Sequence, residues 1–118
     1  MENERCAKIN VLGTTYTIFW KGASEDSFLT DCDGYCDKTS KRIVIAEKDS
    51  KCNLDYFEEY QKKVLRHEIV HAFMHESGLG ENWEHKSIGQ EETVIDWFAI
   101  QGLKIYQAWK ESGCCDLQ

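Results

Sequence analysis

The segment "RHEIVHAFMHES", residues 66–77, places two histidines four residues apart, with a glutamate directly after the first. On an α-helix, His67 and His71 lie one turn apart, about 6 Å along the axis and about 40° around it, so both imidazoles can bind one metal ion. Glu68 is displaced around the helix, where it can face a water on that ion and take its proton during attack on a carbonyl. The H-E-x-x-H spacing is therefore typical of a zinc site that hydrolyses amide bonds.

A catalytic zinc also needs a third protein ligand and an open position for water. His75 is unsuitable because it lies about 12 Å beyond His67 on the same helix, too far for both to contact one ion. His85, in the polar loop "GLGENWEHKSIG", is a second choice. The segment "EETVIDW", residues 91–97, carries better candidates.

Two neighbouring carboxylates in that segment compete for the third position. Helical periodicity slightly favours Glu91, since it places this residue near the centre of an apolar stripe where a carboxylate without a partner is costly. Glu92, however, has Asp96 one turn later, so both side chains point the same way. Asp96 can then accept the remaining ring N–H of a ligand histidine. We therefore predict Glu92 as the third ligand and Asp96 as the carboxylate that supports a ligand histidine, with Glu91 as the alternative ligand.

The chain from Ile9 to Glu47 is rich in β-branched and aromatic residues and is expected to form the sheet. One strand is predicted around Tyr16 to Trp20 and another in "KRIVIAEK", with a turn at Asp33-Gly34. Short connections of this kind favour about three strands in a mainly antiparallel sheet.

Two helices are predicted after the sheet, which gives an α+β fold. The first should run from Tyr56 to Ser77, with Asp55 as N-cap and Gly78 just past its end. The second should run from Glu91 to Glu111, and its apolar residues extend far enough around it to indicate packing on more than one side. One side of the first helix should carry Tyr60, Val64, His67, His71 and Met74.

Composition narrows the classes of function. With 118 residues, of which 42% are hydrophobic, the chain is expected to form a single domain over residues 1–118. The net charge of −7 argues against nucleic acid as a partner. No apolar run is long enough for a signal peptide or a membrane span, so we expect a cytoplasmic protein with no membrane association. Its six cysteines are then expected to be reduced thiols.

Several segments together resemble small metallopeptidases encoded by phages and prophages of Gram-positive bacteria: "INVLGTTYTI", "DGYCD", "RIVIAE", "RHEIVHAFMHESGL" and "EETVIDWFAIQ". H-E-x-x-H followed by E-x-x-x-D on a later helix also resembles the gluzincins, which include thermolysin-like peptidases and the ImmA/IrrE family. The resemblance extends from Ile9 to about Ile105. It implies a minimal fold in which an edge strand lies over the active-site helix. It does not include the DNA-binding and sensory regions of larger ImmA/IrrE proteins, so their repressor-cleaving roles are not implied.

The resemblance also implies roles for individual residues. His67, His71 and Glu92 would bind zinc, Glu68 would be the general base, and Asp96 would support a ligand histidine. The leading hypothesis is thus a zinc-dependent peptidase whose peptide or protein substrate adds as a strand to the sheet edge. The alternatives are a zinc-binding, phage-associated interaction module with little turnover, and a structural domain that binds no metal. Candidate oxyanion donors are Tyr35, Tyr106 and His75.

Overall fold

A computed structural model describes residues 5–47, 54–78 and 92–114 of the chain. These residues fold as α+β, as predicted, with a mixed four-stranded sheet and two long helices. The strands are β1 (Cys6–Val11), β2 (Thr14–Lys21), β3 (Gly34–Asp37) and β4 (Arg42–Ala46), and a short 3₁₀ helix (Ser27–Thr30) precedes β3. The helices are α1 (Phe57–Glu76) and α2 (Glu92–Ser112).

The order of strands across the sheet is β1-β2-β4-β3. β1 and β2 form an antiparallel hairpin whose turn residues, Leu12 and Gly13, have φ values of 52° and 93°. β3 is antiparallel to β4, whereas β2 and β4 are parallel. The prediction of about three mainly antiparallel strands therefore missed β1 as a separate strand. Two of the three strand pairings are antiparallel, in agreement with the prediction of a mainly antiparallel sheet, whereas the parallel pair depends on contacts between distant segments that local periodicity does not encode.

The core lies between one face of the sheet and α1. Tyr16 and Ile18 of β2 are buried there together with Ile43 and Ile45 of β4. These alternate positions share one sheet face because successive strand side chains point to opposite sides. Val64 and Ala72 of α1 complete the same cluster. The packing fixes which side of α1 faces the sheet.

The ends of α1 agree with the sequence in part. Gly78 has φ of 83°, the left-handed conformation expected of a glycine just past a helix. The N-cap is Tyr56, which makes no side-chain capping hydrogen bond, so the prediction of Asp55 as N-cap was wrong. The helix begins one residue later than expected, which leaves Asp55 outside the capping position. Glu58 and Glu59 in the first turn still interact favourably with the helix dipole.

Gly34 allows the edge strand β3 to lie directly against α1. A Cβ atom at this position would be 3.0 Å from Val64 Cγ1 and 3.1 Å from the Val44 carbonyl oxygen. The sequence pattern Asp33-Gly34, expected to be a turn, instead forms the bend and the first residue of β3. An edge strand over the helix is the arrangement that the sequence resemblance implies.

α2 packs on α1 through Ile95 and Ala99, which are 1% exposed. Several of its other apolar side chains are 41–61% exposed: Val94, Trp97, Phe98, Ile100, Leu103 and Tyr106. The expected packing on more than one side is therefore not seen within the described residues. Neither described helix has the length and apolar character together that crossing a membrane would require.

Candidate metal centre

Three side chains from the two helices converge at one point. His67 Nε2 lies 2.8 Å from Glu92 Oε2, and His71 Nε2 lies 3.1 Å from Glu92 Oε1. One ligand atom from each residue lies within 4.8 Å of those from the other two. A tetrahedral ion bound at ~2.0–2.2 Å needs ligand atoms about 3.3–3.6 Å apart. Small side-chain adjustments therefore suffice for His67, His71 and Glu92 to hold a metal ion.

Glu92 thus occupies the place expected for the third ligand. It is the first residue of α2, so its position depends on how α2 docks on α1. The alternatives Glu91 and His85 lie outside the described residues. His75 stacks on His71 with ring centroids 6.3 Å apart, and it does not belong to the group of potential ligands.

Asp96 contacts one of the two histidines. Its Oδ1 lies 3.1 Å from His67 Nδ1, which identifies His67 as the supported residue. When Nδ1–H donates to this carboxylate, the lone pair of Nε2 is free to bind a cation and is more basic. The ring of His67 is therefore oriented from α2, while its backbone is fixed in α1.

Two basic residues that sequence reasoning missed also join α1 to α2. Lys63 Nζ lies 3.2 Å from Asp96 Oδ1. Arg66 Nε donates a 2.6 Å hydrogen bond to the Ala99 carbonyl oxygen. The position of Lys63 one turn before His67 was a usable signal, because residues four apart share a helix face. Nothing local in the sequence indicates the Arg66 contact, which depends on the docking of α2.

Glu68 is buried, which the sequence alone did not indicate. Its relative exposure is 7%, and it is the one charged residue buried among those described. It follows Val64 and precedes Ala72 at intervals of four residues, on the stripe of α1 that is most buried. Burial raises the pKa of its carboxyl to about 7, with a further upward contribution from the Glu92 charge and a downward one from His67.

Burial also shifts the pKa of His71, but in the opposite direction from that of Glu68. Desolvation lowers the pKa of its imidazole, and the nearby Glu92 carboxylate works against this effect. A lowered pKa favours the neutral ring, which is the form that binds metals.

A cleft of about 610 Å³ opens onto these residues, within the usual range for ligand sites. Its walls come from β3, α1 and the start of α2, and Glu68 lines it together with both histidines. Of the three candidate oxyanion donors, Tyr35 and His75 line the cleft, whereas Tyr106 does not and is 51% exposed.

Two cysteines, Cys32 and Cys36, also line the cleft. Neither forms a disulfide, and neither belongs to the group that could hold a metal ion. Burial raises the pKa of the Cys36 thiol to about 12.

The candidate centre is thus a His-His-Glu group with a supporting aspartate and a buried glutamate in one cleft. Its chemistry follows from these side chains and their distances. Comparison of the chain with protein-family models, with curated proteins and with solved structures finds no match.

Proposed function

We propose that this protein is a zinc-dependent metallopeptidase. The observation that carries the proposal is the burial of Glu68 in the cleft that holds His67, His71 and Glu92. A site that binds metal only for stability is usually closed by four protein ligands and needs no buried carboxyl group beside it. A buried carboxyl is costly to maintain, so its presence here supports a chemical role. The resemblance to gluzincins agrees with this proposal.

The donor set favours zinc over magnesium and calcium. Two imidazole nitrogens and one carboxylate match the ligands of catalytic zinc sites, whereas magnesium and calcium prefer oxygen ligands throughout. With three protein ligands, a bound zinc would keep one position free for water or substrate.

Each residue has a distinct part in the proposed reaction. When bound, zinc acidifies a water and polarises the substrate carbonyl. Glu68 accepts the proton of the attacking water and then delivers it to the leaving nitrogen, and burial, which raises the pKa of its carboxyl, makes it a stronger base than an exposed carboxylate. Asp96 holds the His67 ring, so that its Nε2 keeps its direction during the reaction.

The proposed substrate is an extended peptide segment bound along β3. This strand pairs with β4 on one side and ends the sheet on the other, within the part of the chain that is described. Because an edge strand presents unpaired backbone N–H and C=O groups, a peptide can add there as a further strand. Gly34 to Cys36 also line the cleft, so an added strand would lie beside the metal group.

Zinc content tests the metal site. Purified protein should contain close to one zinc per chain, and His67→Ala and His71→Ala should each lose it, because both leave an incomplete ligand set. Zinc should also raise the melting temperature of the wild type, since a ligand that binds only the folded state stabilises it. Normal zinc content in both variants would refute the site.

Peptide hydrolysis tests the chemistry. Glu68→Gln is nearly isosteric and should keep its zinc, while hydrolysis of a broad peptide library should fall at least ~100-fold through loss of the general base. The matched control is Glu58→Gln, an exposed position in the first turn of the same helix, which should retain full activity. Full activity in Glu68→Gln would exclude the mechanism. A wild type that binds zinc and cleaves no peptide would favour the interaction module instead.

A further inference from the structure

We infer that Lys63 is a positioning residue of the metal centre, which holds Asp96 in the orientation that supports His67. The inference rests on the proposed metal site but not on peptidase activity. It assigns Lys63 a role through Asp96 and no direct contact with metal or substrate.

The geometry places two donors on a single oxygen atom. Lys63 Nζ lies 3.2 Å and His67 Nδ1 lies 3.1 Å from the same Oδ1 of Asp96. Lys63 and His67 come from successive turns of α1, so they approach the carboxylate of α2 from one side. Asp96 is therefore held between an ammonium group and the ring that it supports.

Lys63 is itself held in place, unlike a typical surface lysine. Its side chain is 29% exposed, and its Nζ lies 5.3 Å from the centre of the Tyr60 ring. The Tyr60 hydroxyl donates a hydrogen bond to Asp33, which immediately precedes β3. A continuous series of contacts thus leads from β3 through α1 to Asp96 on α2.

The neighbouring Lys62 forms an exposed ion pair on the same helix. Its Nζ lies 3.7 Å from Glu59, and the two side chains are 65% and 73% exposed. Exposed ion pairs of this kind contribute little to the stability of a protein. Lys62 therefore offers a control of the same residue type, one position away and facing solvent.

Removing Lys63 should have two opposing effects on metal binding. Loss of a positive charge favours the binding of a cation, but the contacts of Lys63 lead to the ligand atom of His67 only through Asp96 and the imidazole ring, and the Asp96 charge offsets that of Lys63. Asp96 is 36% exposed, so without Lys63 its carboxylate can turn towards water and release His67 Nδ1. Since this contact orients a metal ligand directly, we expect the loss of positioning to dominate.

Zinc affinity provides the test. Metal-free wild type, Lys63→Met, Lys63→Arg and Lys62→Met are titrated with zinc against a competing chelator. Lys63→Met should bind zinc about 5-fold more weakly, less than the ~10–100-fold of losing the supporting carboxylate itself. Lys63→Arg keeps a cationic donor and should stay within about 2-fold of the wild type. Lys62→Met should not change the affinity.

A second background separates positioning from a general structural effect. In Asp96→Asn, adding Lys63→Met should cause no further loss of zinc affinity, because Lys63 then has no carboxylate to hold. The visible spectrum of the cobalt-loaded protein reports the geometry of the metal ligands and needs no activity measurement. It should change in Lys63→Met but not in Lys62→Met. If Lys63→Met does not fold, Lys63→Gln takes its place in both backgrounds.

The outcomes distinguish this inference from the proposed function. Tighter or unchanged zinc binding in Lys63→Met, or an equal loss with and without Asp96, would overturn the role of Lys63 and leave the metal site intact. A wild type that binds no zinc would overturn both.

Discussion

The carboxylate of Glu92 lies 3.1 Å from His71 Nε2, although the two residues are separated by 21 positions. Its other oxygen lies 2.8 Å from His67 Nε2. The ligand group therefore exists only when the start of α2 is docked on α1. Ile95 and Ala99 supply the apolar part of this docking, and Arg66 supplies a hydrogen bond.

The position of Glu92 leads to a prediction about neighbouring carboxylates. Glu92→Ala should greatly reduce zinc occupancy, because it removes the oxygen atoms that lie next to both imidazoles. Glu91→Ala should leave occupancy close to that of the wild type. Metal analysis of the two purified variants makes the comparison, and the reverse result would transfer the ligand role to Glu91.

The histidine pair could be predicted because its geometry is local. Four residues on an α-helix fix the relation between His67 and His71, whatever the rest of the chain does. Asp96 was likewise found from its spacing to Glu92, since residues one turn apart share a helix face. The approximate limits of both helices follow from the same regular spacing.

Other features could not be predicted because they depend on how distant elements pack. Periodicity alone slightly favoured Glu91 over Glu92. The burial of Glu68 arises from the packing of α1 on the sheet, and the contact between Lys63 and Asp96 from the docking of α2. The parallel pairing of β2 with β4 joins segments that are far apart in sequence and has no local pattern.

A second prediction concerns the close approach of β3 to α1. Gly34→Ala should destabilise the protein by about 1–3 kcal/mol, the usual effect of forcing extra volume into a packed contact. The added methyl would meet Val64 Cγ1 at 3.0 Å and the backbone oxygen of Val44 at 3.1 Å. Urea unfolding of the metal-free protein measures the change.

Gly102 provides the matched control for this substitution. It lies inside α2, and a Cβ atom there would have no heavy atom within 4 Å outside its own helix backbone and chain neighbours. Gly102→Ala should therefore stabilise the protein by about 0.5–1 kcal/mol through helix propensity. Equal effects of the two substitutions would show that β3 does not require a glycine at its first position.

A third prediction concerns stability in acid and rests on Glu76 at the end of α1. The buried Tyr16 hydroxyl donates a 2.7 Å hydrogen bond to its Oε2, and Lys41 Nζ lies 2.7 Å from the same oxygen. The hydrogen bonds from Lys41 and Tyr16 lower the pKa of the Glu76 carboxyl to about 2. The contact joins the last turn of α1 to the sheet.

Because the pKa of Glu76 is lower in the folded state than in the unfolded state, its contribution to stability is present above about pH 4.5 and is lost as the pH falls towards 2. The free energy of unfolding of the wild type should therefore decrease over this interval. In Glu76→Gln, which cannot ionise, the decrease should be smaller, and the variant should already be less stable than the wild type at pH 6. Urea unfolding of both proteins at a series of pH values between 2 and 6 measures this difference. Parallel curves for the two proteins would show that ionised Glu76 does not stabilise the fold.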